Sequence, residues 1–471
     1  MFSLERDNDT ICAIATAPGV GGIAVLRVSG TDSISVARKI VPFLPVLPES
    51  HRVYYGFIKE YNSGEQIDEV LITYFNEKRS FTGEQVVEIS CHGGTLITSM
   101  ILDQLILSGA RLAQPGEFTY RAFMNGRIDL IQAESVLSLI ESDSKKAAKL
   151  SLRQLKGELS NDILDIEDEL TWILAHLEAN IDFAAEDIIV AEDSQLVDRT
   201  EKVKSRINQL LTTYKSGKAI KDGLVVSLAG VPNAGKSSLF NAIVGEERAI
   251  VTDVPGTTRD FIEGDIMMDG YKVQFVDTAG LRTTQDKVEI IGIGRTKKLI
   301  SESDVVLYLI DATNPVIDET LKKMSAEDFD RAVIVVNKVD KINDHQKKEV
   351  DDFILKELNH LLGPHGFEKR MVNVSATRHL GLKELKNLIM NQFVSPFSET
   401  SAVLSQKRHF ENLEKSDQAL DKSIKLMKAS QSPEFISFEL QNALLAVKQI
   451  LGKQFDDEIM DRVFKEFCLG K

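Results

Sequence analysis

The 471-residue sequence is poor in cysteine and has no closely spaced cysteine pair. Its three cysteines, Cys12, Cys91 and Cys468, are too few and too scattered for a disulfide framework or a zinc site. We interpret Cys12 and Cys91 as small buried hydrophobic residues of a protein from a reducing compartment. The scarcity of cysteine excludes disulfide-stapled proteins and zinc fingers.

The sequence also lacks export and membrane signals. No basic stretch followed by an apolar core opens the chain, and the longest apolar runs, such as 305–310, fall far short of the ~20 residues that span a bilayer. A formal net charge of −15 makes non-specific coating of nucleic acid unfavourable. We therefore predict a soluble, cytoplasmic protein with no membrane partner.

Residues 1–118 alternate short β-like runs with glycine-rich turns, which predicts a small α+β domain. Glycine and proline then become scarce, with Gly157 as an interruption, and apolar residues recur at three- and four-residue steps from Ile163 to Ile181. This spacing predicts one long helix with an apolar stripe. The candidate strands of the first domain are 23–28, 70–75 and 86–91, and its candidate helix is 99–107.

A rhythm of alternating strands and helices occupies residues 217–395, which is typical of a parallel sheet with helices on both faces. Long helical segments return after Pro396. We predict that this α/β unit is inserted into one helical domain built from 119–216 and 396–471, because close chain ends tolerate insertions. The candidate strands are 224–229, 273–276, 305–310, 332–336 and 371–374.

A phosphate-binding loop follows the first of these strands. Residues 230–237 read G-V-P-N-A-G-K-S, match G-x-x-x-x-G-K-[ST], and precede a predicted helix. The glycines let backbone N–H groups approach phosphates, Lys236 supplies a charge to the β- and γ-phosphates, and Ser237 offers a hydroxyl to Mg²⁺. The nucleotide ligands predicted here are Asn233, Ala234, Gly235, Lys236, Ser237 and Ser238.

Three further motifs favour a guanine nucleotide over an adenine nucleotide. Asp277-Thr278-Ala279-Gly280 would reach the Mg²⁺ shell and the γ-phosphate. Asp340, in Asn337-Lys338-Val339-Asp340, can accept hydrogen bonds from both N1–H and the exocyclic amine of guanine, a pair that adenine lacks. Ser375-Ala376-Thr377 would place a backbone N–H at guanine O6. Each motif ends a predicted strand, so we predict the GTP site of a Ras-like G domain.

The residue that orients water in Ras-like enzymes is missing. Leu281 occupies the position of that glutamine, and a leucine side chain cannot orient water. Arg259 and Arg282 are candidates for an arginine finger, although paired or solvated loop charges explain them more simply. Assistance to catalysis must therefore come from elsewhere.

The chain resembles the MnmE (TrmE) family of GTPases, which help to modify the wobble uridine of certain tRNAs. The resemblance spans essentially the whole chain. It is carried by PGVGGI at 18–23, FTGE at 81–84, HGG at 92–94, PGEF at 115–118, RAF at 121–123, DVPGTTRD at 253–260, DTAGLR at 277–282 and CLGK at 468–471.

The resemblance implies a bound K⁺ in place of an arginine finger, where its charge would stabilise the transition state. Asn233 would supply a side-chain ligand to K⁺. Thr258 would bind Mg²⁺, and Glu289 would orient or activate the attacking water. The other implied K⁺ ligands are Thr252, Val254 and Thr257, and the loop residues added to the GTP site are Thr252, Asp253, Val254, Pro255, Gly256, Thr257 and Thr258.

The resemblance also assigns folate binding and homodimer formation to the N-terminal domain, with 5-formyl- or methylene-tetrahydrofolate as the one-carbon donor. Without it, Arg27 and Arg127 would be interpreted as surface charges, Glu88 as a strand-face charge and Cys468 as a cysteine without a role. The implied folate contacts are Arg27, Glu88, Arg127 and Lys471, and the implied reactive thiol is Cys468.

The implied function is a K⁺-dependent GTPase that acts with an FAD-containing MnmG-type partner, as a heterotetramer, to add an aminomethyl or carboxymethylaminomethyl group to C5 of the wobble uridine. The alternative is an RNA-binding or ribosome-assembly GTPase, which predicts an appendage such as a KH domain; no G-x-x-G loop between a helix pair follows the G domain. Five basic residues are either a solvated helix face, the simpler interpretation, or a tRNA track. They are Lys145, Lys146, Lys149, Arg153 and Lys156.

Overall fold

The computed structural model describes residues 9–182, 193–246, 248–249, 263–277, 299–317, 321, 325–362, 367–393, 402–454, 463–467 and 470. Contacts divide the chain into two units. The first comprises 1–140, 152–205 and 412–471, and the second comprises 141–151 and 206–411. The domain boundaries predicted at 118, 216 and 395 stay predictions.

Thirteen strands and thirteen helices are numbered here in chain order over the described residues. The strands are β1 (Ile11–Ile14), β2 (Ala24–Ser29), β3 (Val53–Lys59), β4 (Gln66–Phe75), β5 (Val86–Cys91), β6 (Arg111–Leu112), β7 (Leu224–Gly230), β8 (Arg248–Ala249), β9 (Glu263–Met268), β10 (Tyr271–Asp277), β11 (Val305–Asp311), β12 (Ala332–Asn337) and β13 (Met371–Asn373). The helices are α1 (Ser33–Ile40), α2 (Thr95–Leu107), α3 (Glu117–Met124), α4 (Leu130–Ile140), α5 (Lys145–Leu155), α6 (Glu158–Asp182), α7 (Asp193–Lys221), α8 (Lys236–Glu246), α9 (Ala326–Asp330), α10 (Asp344–Leu362), α11 (Leu382–Phe393), α12 (Lys407–Lys428) and α13 (Pro433–Leu451).

The first unit contains a six-stranded sheet in the order β3-β4-β5-β2-β1-β6, with every neighbouring pair antiparallel except β1 and β6. Alternate residues of β2 face a core that α1 and α2 complete, including Leu26 and Val28. The predicted strands and helix of this domain are confirmed, although β4 and α2 begin earlier than predicted. Cys12 and Cys91 are buried as predicted.

The helices of the first unit pack through apolar stripes. The stripe predicted on one long helix lies on α6, where Ile163, Ile166 and Ile173 are fully buried, and α13 packs along α6. Gly157, with φ of +87°, separates α5 from α6 in a backbone conformation that suits glycine. The interruption noted in the sequence is therefore a true break between two helices.

The second unit contains a seven-stranded sheet in the order β13-β12-β11-β7-β10-β9-β8. The strands from β13 to β10 are parallel, whereas β9 and β8 are antiparallel to their neighbours. One core joins the sheet to α8 and α11, and a second core joins it to α10. Because both faces are covered, β11 and β12 are continuous apolar runs. The predicted α/β fold is confirmed, and its parallel strands carry their carboxyl ends at one edge of the sheet.

No helix within the described ranges is long and apolar enough to cross a membrane.

Candidate nucleotide-binding site

The phosphate loop connects β7 to α8 through residues with positive φ. Gly230, Asn233 and Gly235 have φ of 127°, 66° and 97°. A Cβ atom at Gly230 would lie 2.3 Å from the carbonyl oxygen of Leu309, and one at Gly235 would lie 2.2 Å from Nδ2 of Asn337. Only glycine fits both positions, because the loop is folded tightly against β11 and β12.

Lys236 is held inside this loop. Its Nζ donates to the carbonyl oxygens of Gly230 at 2.7 Å and Val231 at 3.1 Å, and the residue is 7% exposed. The next two residues of α8, Ser237 and Ser238, are exposed. The loop and the first turn of α8 thus carry an ammonium group, two hydroxyls and the first N–H groups of the helix. This combination suits phosphate and the Mg²⁺ that accompanies it.

Asn337 ties the base-recognition motif to the phosphate loop. Its Nδ2 donates to the carbonyl oxygen of Ala234 at 2.9 Å, and its Oδ1 accepts from the N–H of Lys338 at 2.8 Å and of Ala376 at 3.3 Å. Asn337 is 1% exposed, so these bonds are shielded from water. One buried amide therefore joins the three motifs that follow β7, β12 and β13.

Lys338 makes a second link across the same edge. Its Nζ donates to the backbone oxygen of Asn233 at 2.6 Å and to Oδ2 of Asp311 at 2.6 Å. Asp311 ends β11 and was not singled out from the sequence. A signal for it exists, since it is the first charged residue after an apolar strand that lies between the two motif-bearing strands.

Asp340 is poised to accept hydrogen bonds from a base. The Oγ of Ser375 donates to its Oδ1 at 2.6 Å, and Nε of Arg378 lies 3.8 Å from its Oδ2. The hydroxyl of Ser375 holds the pKa of Asp340 below its ordinary value, although the partial burial of the carboxyl acts in the opposite direction. The carboxylate is therefore ionised at neutral pH. Thr377, also predicted here, lies 3.3 Å from Ser375 through their hydroxyls.

The structure brings together the described parts of the predicted nucleotide site. Asp277 ends β10 beside Leu228 of β7, which places its backbone at the same edge of the sheet. The remaining predicted residues of this and the folate site lie outside the described residues. They are Thr252, Asp253, Val254, Pro255, Gly256, Thr257, Thr258, Thr278, Ala279, Gly280, Glu289, Cys468 and Lys471, together with Arg259, Leu281 and Arg282.

Two of the predicted folate contacts form an ion pair. Arg27 on β2 is directly opposite Glu88 on β5, and its Nε and Nη2 donate to Oε1 of Glu88 at 2.9 and 2.8 Å. The Arg27 guanidinium lies 5.6 Å from the ring centroids of Phe81 and Phe118. Arg127, by contrast, is exposed in the turn after α3. Arg27 is thus a half-buried, paired cation rather than a bare surface charge.

Beside this pair lies a partly buried ionic network whose residues had no role predicted from the sequence. Arg121, 2% exposed, donates to Glu84 at 3.1 Å and to Glu117 at 3.0 Å. Glu117 also accepts from Arg111 at 2.7 Å. Burial raises the pKa of Glu117, but the hydrogen bonds from Arg111 and from the N–H of Gln114 outweigh it and hold the pKa below its ordinary value. The network fixes α3 against the 81–84 loop.

The basic residues of α5 behave as a solvated face with local partners. Lys145, Lys146 and Lys149 are exposed. The Nζ of Lys146 lies 3.9 Å from the ring centroid of Tyr271, and Nε of Arg153 donates to Glu158 at 2.6 Å. These contacts leave the tRNA track a prediction.

Three features define a P-loop domain of the GTP-binding class. A phosphate loop lies between a strand and a helix, a buried asparagine joins this loop to a base-recognition carboxylate, and a parallel sheet carries both at one edge. Family models then extend this class assignment to the whole chain. The model of the MnmE helical domain matches residues 130–468, and the model of the GTP-binding protein TrmE N-terminus matches residues 10–127.

Full-length relatives agree with the family models. The tRNA modification GTPase MnmE of Bdellovibrio bacteriovorus is 49% identical over 476 residues, covering 100% of this chain and 99% of that protein. The protein of that name from Pediococcus pentosaceus is 36% identical over 479 residues, covering 100% of both. The chain therefore belongs to the MnmE family of tRNA modification GTPases. Among solved structures, the G domain of the T. maritima FeoB iron transporter is 28% identical, with a TM-score of 0.24, and covers 36% of this chain and 98% of that one.

Proposed function

We propose that this chain is a K⁺-dependent GTP hydrolase that acts with an FAD-containing MnmG-type partner on tRNA. The pair would add an aminomethyl or carboxymethylaminomethyl group to C5 of the wobble uridine, with a tetrahydrofolate as the one-carbon donor. The observation that carries this proposal is the convergence of the phosphate loop, Asn337 and Asp340 at one sheet edge in a chain that matches the MnmE family over its full length.

The residues of the site divide the work of holding GTP. A phosphate oxygen is a stronger acceptor than the two carbonyls that now hold Lys236, so the ammonium group would turn to the β- and γ-phosphates. Ser237 would place its exposed hydroxyl on Mg²⁺. Asp340 would accept from N1–H and the amine of guanine while Ser375 holds its orientation.

The described part of the proposed K⁺ site fits a cation. The backbone oxygen of Asn233 is engaged by Lys338, which fixes the loop at a φ of 66° and leaves the exposed side-chain amide at its surface. Amide and carbonyl oxygens suit hard cations. When bound, K⁺ would supply positive charge beside the transferred phosphoryl group, the charge that an arginine finger supplies elsewhere. In this proposal Thr252, Val254 and Thr257 complete the K⁺ site, Thr258 binds Mg²⁺, and Glu289 orients the water.

The proposed folate site rests on the first unit. Arg27 and Glu88 form its described center, with 5-formyl- or methylene-tetrahydrofolate as the ligand. A Cβ atom at Gly470 would lie 2.3 Å from the carbonyl oxygen of Ile14, next to the strand that carries Arg27. Gly470, the described residue of the 468–471 motif, therefore lies against β1, the strand that pairs with β2. Cys468 and Lys471 are included in the proposed site because of the family resemblance alone. Arg127 is a further folate contact in this proposal. The proposal also includes a cytoplasmic location, a homodimer of this chain and a heterotetramer with the MnmG-type partner.

The test is nucleoside analysis of tRNA incubated with the purified chain, an FAD-containing MnmG-type partner, GTP, the folate donor as the carbon source, and glycine or ammonium as the nitrogen source. The chain should increase the mass of the wobble uridine, and Lys236→Ala should not, because the phosphate loop then lacks its cation. Lys272→Ala, which removes a lysine paired with Asp143 and Asp265 on the same unit, is the matched control and should retain the modification. An unmodified wobble uridine with the active wild-type chain would reject the proposed function, even if GTP is hydrolysed.

A further inference from the structure

Asp311 occupies the position in the sheet between the two halves of the nucleotide site. It is the last residue of β11, the strand that lies between β7 and β12. Asp311 is opposite Asn337 in the register with β12, and Leu309 is opposite Gly230 in the register with β7. Its carboxylate is therefore next to both the phosphate loop and the base-recognition motif without belonging to either.

Both oxygens of this carboxylate have assigned partners. Oδ1 accepts from the N–H of Thr313 at 2.9 Å and from its hydroxyl at 2.7 Å, which closes a local turn and fixes the carboxylate. Oδ2 accepts from Nζ of Lys338 at 2.6 Å, and the same Nζ donates to the backbone oxygen of Asn233. The Asp311 side chain is only 15% exposed, so salt screens this pair weakly.

The pair supports a backbone arrangement that is otherwise unfavourable. Asn233 and Lys338 both have φ of 66°, in the left-handed region that few non-glycine residues adopt, and lysine lacks the enrichment there that asparagine shows. Such conformations persist where the surroundings over-determine them. The bridge from Asp311 through Nζ of Lys338 to the backbone oxygen of Asn233 holds Lys338 to Asn233.

We propose that Asp311 is a positioning residue that couples the base-recognition motif to the phosphate loop and so sets how long a guanine nucleotide stays bound. It acts through Lys338, because its carboxylate fixes the direction in which Nζ reaches Asn233. This role concerns nucleotide retention by the GTP-binding domain and is independent of K⁺, folate and the partner protein.

The experiment is stopped-flow release of a fluorescent GDP, mant-GDP, from the full chain. Asp311→Asn keeps the shape of the side chain and removes its charge, and should speed release about tenfold, the effect of losing one charge-assisted hydrogen bond. Asp265→Asn is the matched control, since Asp265 pairs with Lys272 at 3.1 Å at another position in the same sheet. Release from this control should equal that from the wild type.

A double-mutant cycle separates positioning from general stability. In a Lys338→Gln background, Asp311→Asn should change release by less than about twofold, because the residue through which it acts is gone. Asp311→Glu restores the charge and should recover most of the slow release. If Asp311→Asn folds poorly, Asp311→Glu is the variant measured in its place. The proposal is overturned if Asp311→Asn releases mant-GDP at the wild-type rate or accelerates release equally in both backgrounds. It is also overturned if Asp311→Glu releases mant-GDP as fast as Asp311→Asn.

Discussion

Replacing Asp340 with asparagine should transfer base preference from guanine to xanthine. The Oγ of Ser375 donates to Oδ1 of Asp340 at 2.6 Å, so the new side chain should keep its oxygen there and turn its NH₂ group toward the base. An NH₂ donor opposes N1–H and the amine of guanine but complements the C2 carbonyl of xanthine. The change therefore replaces one acceptor for guanine with one donor for xanthine.

The size of this effect follows from the hydrogen bonds involved. A hydrogen bond to a charged group contributes about 1.5–3 kcal/mol, and the Asp340 side chain is only 11% exposed. Losing one such bond, together with the negative charge, and placing an NH₂ group against a guanine donor should therefore cost about 3 kcal/mol. That loss corresponds to at least about hundredfold weaker GDP binding. Equilibrium titration with mant-GDP and mant-XDP measures both affinities, with Asp265→Asn as the charge-matched control. Unchanged GDP affinity, or no gain in XDP affinity, would refute the assignment of Asp340 as the base-reading residue.

Three further outcomes are expected. Gly235→Ala should abolish mant-GDP binding, because the added Cβ would lie 2.2 Å from Nδ2 of Asn337 at a backbone φ of +97°. In the control Gly245→Ala in α8, the added Cβ meets nothing within 4 Å, so this variant should bind mant-GDP normally. Arg121→Met should destabilise the chain by about 3 kcal/mol in urea unfolding, since the half-buried Glu84 loses its arginine partner and the buried Glu117 keeps only Arg111. Arg121→Lys should lose less. His92→Gln should lower the melting temperature more at about pH 5.5 than at about pH 9, because the ion pair with Asp68 is lost as His92 deprotonates.

The direction of the pH effect follows from the two pKa values. The hydrogen bond to Asp68 raises the pKa of His92, so its contribution to stability is complete below the unfolded value of about 6.5 and disappears as pH rises through the raised value. Burial raises the pKa of Asp68, but the bonds from His92 outweigh it, so this contribution is lost only in acid. A difference in melting temperature that grows with pH would contradict the ion pair of His92 with Asp68. Equal mant-GDP binding by the two glycine variants would contradict the role of Gly235, and equal stability of the two Arg121 variants would contradict the role of the Arg121 ion pairs.

The sheet of the second unit and the edge that carries its motifs could be predicted from the sequence, because β11 and β12 are continuous apolar runs and β7, β10 and β12 each lead into a motif. The Asn233–Lys338 contact could not be predicted, since it joins residues 105 positions apart through one side-chain conformation. The position of Asp311 at the end of an apolar strand was a signal, but its contact with Lys338 could not be predicted for the same reason.

The first unit shows a second limit of sequence reasoning. Arg121 and Glu117 share α3, but Glu84 and Arg111 come from other segments, and each charge taken alone resembles an ordinary surface residue. The motifs that contain three of them indicated the family, but only the fold shows that Arg121 and Glu117 are buried and that Glu84 and Arg111 pair with them. The pairing of Arg27 with Glu88 likewise depends on the register of β2 with β5, which hydrophobic alternation alone does not determine.

The most direct test of the account is GTP turnover by the purified chain in KCl and in NaCl at equal ionic strength, with Asn233→Ala alongside. Turnover should rise strongly in K⁺ alone, and Asn233→Ala should lose this response while still binding mant-GDP through Asp340. Equal rates in the two salts would contradict K⁺ assistance at the phosphate loop, and a K⁺ response that survives in Asn233→Ala would contradict the role assigned to Asn233.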